Sequence, residues 1–439
     1  MTFLKKKFKT LIVYKSYLIY SLPFFLGLGA FIPNVIYTIL TLSFILLLIN
    51  KSIKISDFNN IFFKLFIIFW LISVLSSFFS EDISMSMLSS VSYLRFIIFA
   101  MLTYWLIKNQ YLDFNLFFKI VLYSLTAILF FAYVELITGY NVILDDLKDI
   151  FQDGFKNPRT RITGLFGDEQ VLGGYLLRIL LFALIIFFYN ENKISKRTKT
   201  YFLFLIFSSL LFIVFSGERS SIVMLIISLF LAALMINGYK NIKLLFIFSF
   251  ILSFIAIILI KPNIYNRLIT QTFYLQVYSL EKNKIYFFSK THEAHYQTAL
   301  NIFLDKPILG AGNKSFRLLC SQDKYSYNII KFDDGERKGQ SQGCATHPHN
   351  FYLQVLSENG LINLFLLLFF YFFIIKNICF YLYKKILFKE KIFTNTDISI
   401  YIFFSVLLWP VIPTGSFFSS WIASTLFLPM GFLIYNKIK

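Results

Sequence analysis

The sequence predicts an all-α membrane protein: about twelve transmembrane helices and one large, partly helical loop on a single side. Three observations predict it. Hydrophobic residues make up 57% of the chain and charged residues only 15%, with a mean hydropathy of +0.69; a soluble domain is about half apolar and a quarter charged. Apolar runs of roughly 20 residues recur along the 439 residues, the length that crosses a bilayer. Lys and Arg crowd into alternate short connections, as topology selection requires. The net charge of +19 therefore reflects orientation in a membrane, and nucleic-acid binding is set aside.

By hydropathy the spans fall near residues 17–33, 35–50, 60–79, 93–107, 116–137, 169–189, 201–216, 220–236, 242–260, 360–376, 398–414 and 420–436. The first two meet at "FIPN", where Pro33 and Asn34 suit a turn. "MTFLKKKFKT" is basic and no small-residue cleavage site follows it, so it reads as the cytoplasmic end of an uncleaved first span. Lys51 and Lys54, Lys193 to Lys199, Lys240 and Lys243, and Lys384 to Lys391 mark the other inner connections. The short outer ones, "SEDISMS" and "TGSFFSS", are acidic or neutral, which puts both termini in the cytoplasm.

Three regions follow. Residues 1–260 hold the first nine spans, with a shorter outer loop near 138–168. Residues 261–349 form the large outer loop, and 350–439 carry the C-terminal spans. The large loop is basic against the general trend, but loops longer than roughly 60 residues translocate regardless of charge. A structureless loop of that length is improbable in a compact protein, and "THEAHYQTALNIFL" has the apolar spacing of a helix. Cys320 and Cys344 both lie there, where an oxidising compartment lets them pair. Cys379, at an inner span end, reads as a small apolar residue.

All four histidines also fall in this loop. "HEAH" spaces His292 and His295 three apart, not four as in zincins, so a solvated helix face is the preferred reading and a four-histidine zinc site the alternative. His349 differs because Asn350 is a good N-cap for a helix from Phe351, with Asn359-Gly360 as a plausible helix end. That sets His349 at a helix start near the outer membrane surface, while Pro348 turns His347 away. Arg95, Arg161 and Arg219 lie in or near outer span ends. Arg219 sits beside Glu218 in a tight hairpin, where the two either neutralise each other or leave a guanidinium for a ligand. Arg95 is placed to snorkel. Asp168 is placed to cap the next span, and Asp168, Glu169 and Glu358 are the available acids. Guanidinium groups and a neutral imidazole on one membrane face suit a lipid-linked phosphate substrate and removal of a proton from a sugar hydroxyl.

"THPHNFYLQVLSENG" resembles the signature of the O-antigen ligase and O-antigen polymerase family, His-x-His-Asn-x-Tyr-Leu followed by Glu-x-Gly. "RITGLFGDEQVLGGYL", "SGERSS", "KPILGAGNKSFR" and "PTGSFF" resemble its other segments, in order over about residues 160 to 425. The resemblance implies a C-type glycosyltransferase-like helix bundle in the bacterial inner membrane with a periplasmic catalytic loop. It implies transfer of a glycan from undecaprenyl pyrophosphate, with inversion and without a metal or other cofactor. The acceptor is lipid A–core for a ligase and another lipid-linked repeat for a polymerase. The implied base is His349, supported by Asn350 and Glu358; the implied diphosphate ligands are Arg161 and Arg219, with Arg95 in support. Glu218 departs from the family, where a small or polar residue is common. A flippase without chemistry is the reading from another class, disfavoured because the polar groups gather in outer loops rather than along a membrane-embedded path.

Overall fold

The computed structural model describes residues 16–143, 161–260, 262–272, 288–327 and 343–438. The described residues are helical and contain no strand. The helices are α1 (Ser16–Leu26), α2 (Phe31–Ile49), α3 (Ile61–Ser77), α4 (Ile83–Lys108), α5 (Phe114–Thr138), α6 (Leu172–Asn190) and α7 (Lys196–Phe215). Then follow α8 (Arg219–Met235), α9 (Lys240–Ile260), α10 (Lys290–Asp305), α11 (Phe351–Leu387), α12 (Asn395–Leu407), α13 (Ser420–Phe427) and α14 (Met430–Ile438). Among the described residues seven helices are long and apolar enough to cross a membrane, and α1, α3, α8 and α12 are shorter apolar helices. Backbone groups in hydrocarbon must be satisfied internally, which is why apolar runs of this length become helices. Their starts are written locally: Asn60, Asp82, Asp113, Ser195, Asn350 and Ser419 each accept a backbone N–H of the first turn.

α6 is the centre of the bundle. Every residue from Leu172 to Phe187 except Leu184 is buried, against α5, α7, α8 and α12. α9 is peripheral, packing on α7 while Leu244, Phe248, Ile251 and Leu259 stay exposed as a lipid-facing stripe. Two ends can be told apart. At one, the connection after α3 meets the histidine loop: Lys306 Nζ donates to the Phe79 carbonyl at 3.0 Å, and Ser80 Oγ lies 2.8 Å from Ser315 Oγ. We term this the loop face. At the other, Tyr239 Oη donates to Glu191 at 2.6 Å and Asn395 Nδ2 to the Asn237 carbonyl at 3.1 Å.

Several boundaries differ from expectation. The first turn is Gly27–Ala30, and Pro33 and Asn34 lie inside the first turn of α2, where proline has no intrahelical N–H to lose. α4 begins at Ile83 rather than near 93, because serines of low hydropathy serve as small packing residues. Ser86, Ser89 and Ser90 are buried, and Ser90 Oγ is 2.7 Å from Ser77 Oγ of α3. The last apolar run is broken at Pro429 into α13 and α14.

Candidate functional site

The four histidines come together on the loop face. His347 and His349 have ring centroids 4.1 Å apart, His295 stacks on His349 at 5.3 Å, and His292 meets His349 edge-on at 5.5 Å. α10, capped by Ser289, packs on α11, and spacing of three and four sets His292, His295 and Tyr296 on one helix face. The solvated-face reading of His292 and His295 is therefore corrected: His295 is 5% exposed. So is the turning-away of His347; positive φ at His349 (56°) folds the segment back. Among the described residues no group of three or more His, Cys, Asp or Glu side chains has the geometry to hold a metal ion.

Burial keeps these imidazoles neutral. His292 and His295 are pushed down to about 4 and His347 to about 3, by desolvation first and then by repulsion from a charged His349. His349 is lowered by burial too, opposed by a hydrogen bond to the Thr414 backbone. The Thr414 backbone acts on His347 in the same sense; a neutral imidazole at either position keeps one lone-pair nitrogen, as a general base needs.

Long-range contacts fix the backbone that carries this ring. The Thr414 N–H donates to the His349 carbonyl at 2.8 Å. Asn350 accepts from the N–H groups of Tyr352 and Leu353 and donates through Nδ2 to the Pro410 carbonyl at 2.8 Å. Gln354 accepts the Phe417 N–H at 2.8 Å and donates to Ser416 at 3.0 Å. The last hairpin, 408–419, is thus strapped to the start of α11. From the other side, "KPILGAGNKSFR" docks on the α11 break: Ala311 and Gly312 donate to the carbonyls of Ser357 and Glu358, and Leu361 to that of Pro307. Gly360 is non-helical at φ 73° and ψ −172°. Glu358 is 0% exposed and accepts from the Phe316 N–H and Gln354 Nε2. It is a brace inside the protein, whereas Asp168 and Glu169 are exposed, so these acids do not form a matched pair. Cys320 is bonded to Cys344, Cα–Cα 4.8 Å, in a small second core with Ala299, Ile302, Phe316 and Leu319.

Three arginines gather around the 216–218 hairpin, beside the histidines. Arg161 Nε donates to the Ser216 carbonyl at 2.9 Å, and its Nη1 to Gln170. Arg219 Nη2 donates to the Arg267 carbonyl at 3.0 Å, and Arg267 Nε to that of Gly217 at 3.4 Å. Their mutual repulsion is visible in Arg161, lowered to about 10 by burial and then by Arg267, with Glu218 opposing; it stays charged at neutral pH. Arg219 is near enough to help lower His292. Glu218 does not neutralise Arg219. Its carboxylate accepts the N–H groups of Gly173 (2.6 Å) and Gly174 (3.0 Å) and the Ser221 hydroxyl (2.7 Å). It caps α6, the task expected of Asp168, because a carboxylate on the adjacent hairpin reaches the positive end of the helix directly. Buried Glu135 orders the segment after Arg161 by accepting the N–H groups of Thr163 and Gly164.

Arg95 is not merely snorkelling: Nη2 donates to Asn34 Oδ1 at 2.9 Å and Ser420 Oγ at 3.0 Å. Sequence reasoning missed Arg267, Thr414 and the role of α10. Arg267 carried a signal, a cation just past an outer span end; Thr414 carried none. Residues 202–368 match the O-antigen ligase family, a stretch that includes Arg219, Arg267, all four histidines, Asn350 and Glu358. No curated protein matches the chain.

Proposed function

We propose, from its O-antigen ligase domain, that the chain transfers a glycan from undecaprenyl pyrophosphate to lipid A–core at the periplasmic face of the bacterial inner membrane. The observation that carries this reading is the histidine cluster around His349, in which His292 meets His349 at 5.5 Å and lies near enough to Arg219 to feel its charge, with Arg161 and Arg267 bonded to the same hairpin. The lone-pair nitrogen of His349 takes the proton of the acceptor hydroxyl. The hydroxyl oxygen bonds to the anomeric carbon from the face opposite the diphosphate, and the carbon–oxygen bond to undecaprenyl pyrophosphate breaks, inverting the centre. The arginines hold the diphosphate by paired hydrogen bonds and offset the charge that grows on it, so the reaction needs no metal. The remaining histidines pack around His349, whose burial keeps it neutral.

Transfer from purified lipid-linked glycan to lipid A–core tests it. General-base help is worth about 10²–10⁴-fold in rate, so His349→Ala lowers transfer by about that factor with donor binding retained; His347→Gln costs less. A His349→Ala enzyme near wild-type rate removes the assignment. Joining of lipid-linked repeats without transfer to the core would identify a polymerase, and no transfer by folded protein a flippase. In cells, deletion leaves a ligase-deficient strain with lipid-linked polymer and a bare core.

A further inference from the structure

A second basic site lies apart from the three arginines. A cavity of about 300 Å³ is lined by Arg95, Lys314, Ser89, Ser92, Ser420 and Leu88, with no carboxylate among its lining residues. Arg95 has Nη2 fixed by Asn34 and Ser420, while its Nε is buried without a hydrogen-bond partner among the described residues. Asn34 is in the first turn of α2 and Ser420 opens α13, so Arg95 stands level with those helix ends, and the turns of α4 before it, about 18 Å long, rise beyond them on the loop face. Lys314 comes from the histidine loop, at φ 64°. The cavity has an apolar edge: Leu88 is 74% exposed, and Tyr93 also borders the apolar core at Phe66, Phe69, Phe370 and Phe427.

We propose that this cavity seats the phosphate-bearing headgroup of the acceptor lipid. The proposal rests on the transferase reading above, in which the other arginines are occupied by the donor diphosphate. Two cations and three hydroxyls without a counter-carboxylate are complementary to a phosphate ester, and basic pockets between membrane helices bind lipid headgroups. The cavity is also tied to the base. The hairpin that holds His349 through Thr414 reaches Phe418 and Ser420 in the cavity wall, and Phe417 packs on Phe351 at 5.4 Å.

Photo-crosslinking with a diazirine-bearing phosphatidic acid in phosphatidylcholine nanodiscs reads the site without catalysis. Wild-type protein labels on peptides carrying Ser89–Ser92 or Phe418–Ser420. Arg95→Gln and Lys314→Gly each reduce that labelling by about tenfold; glycine accepts the Lys314 backbone conformation, so that variant folds even if Arg95→Gln does not. Labelling unchanged in Lys314→Gly, or displaced by inorganic phosphate at equal concentration, overturns the proposal. In the transfer assay Lys314→Gly raises KM for acceptor and not for donor; the reverse overturns it. Headgroup labelling that persists while His349→Ala retains full transfer sinks the catalytic reading alone.

Discussion

At the scale of single residues, the site separates two kinds of charge. Arg161 remains cationic although buried, because guanidinium is weakly hydrated and loses its proton only far above neutrality. The histidines remain neutral because desolvation and their neighbours oppose a proton. If Arg161, Arg219 and Arg267 share the diphosphate, the planar fork matters as well as the charge. Arg→Lys at any of the three should cost most of the activity at unchanged protein level, and full activity in the lysine variants would reduce the cluster to a structural one. The histidines give a sign for pH. Their folded pKa values lie below the ordinary 6.5, so between about 6.5 and 4 the unfolded loop binds more protons than the folded one. Stability is therefore independent of these groups above about 6.5 and falls as pH drops toward 4. The acid limb of the rate profile likewise sits below 6.5. Thermal unfolding at stepped pH checks the first, with the His292→Gln/His295→Gln variant expected to flatten the slope; a rate that collapses just above 6.5 contradicts the second.

At the scale of elements, the helix start at Asn350 was readable because an N-cap acts on its own first turn. What surrounds that start was not, because it comes from partners about 60 and 40 residues away. The latch under the α11 break depends on backbone meeting backbone. A Cβ on Gly310 would overlap the Asn359 amide, and one on Gly360 the Ile308 carbonyl, and both residues have φ near +70°. Gly360→Ala or Gly310→Ala should destabilise by about 2–4 kcal/mol, from a left-handed backbone with a Cβ plus steric displacement. The expected readout is a lower melting temperature in detergent with loss of transfer, and wild-type melting in both would mean the segment docks otherwise. The Cys320–Cys344 bond spans 24 residues and contributes about 3 kcal/mol by the chain-entropy estimate, tethering the segment that leads to His347.

At the scale of the whole molecule, the basic connections at 191–196, 236–240 and 384–395 meet on the face opposite the histidines, the distribution that fixes orientation in a membrane. Single cysteines should therefore divide cleanly in whole cells: Leu304→Cys reacts with an impermeant thiol reagent and Lys196→Cys does not, with the opposite result reversing the orientation. The sequence by itself determined the class of the fold, because hydropathy and run length are additive along the chain and the bilayer reads them segment by segment. It also determined local starts such as Asn350, and motif resemblance supplied the residues proposed to carry the chemistry. Only the tertiary structure decided that Glu218 caps α6, that Arg267 joins Arg161 and Arg219, that α10 returns two histidines to His349, and that Thr414 ties down the His349 backbone. Each of these pairs groups far apart in sequence through hydrogen bonds and burial, and such pairings leave no periodic trace in composition or spacing.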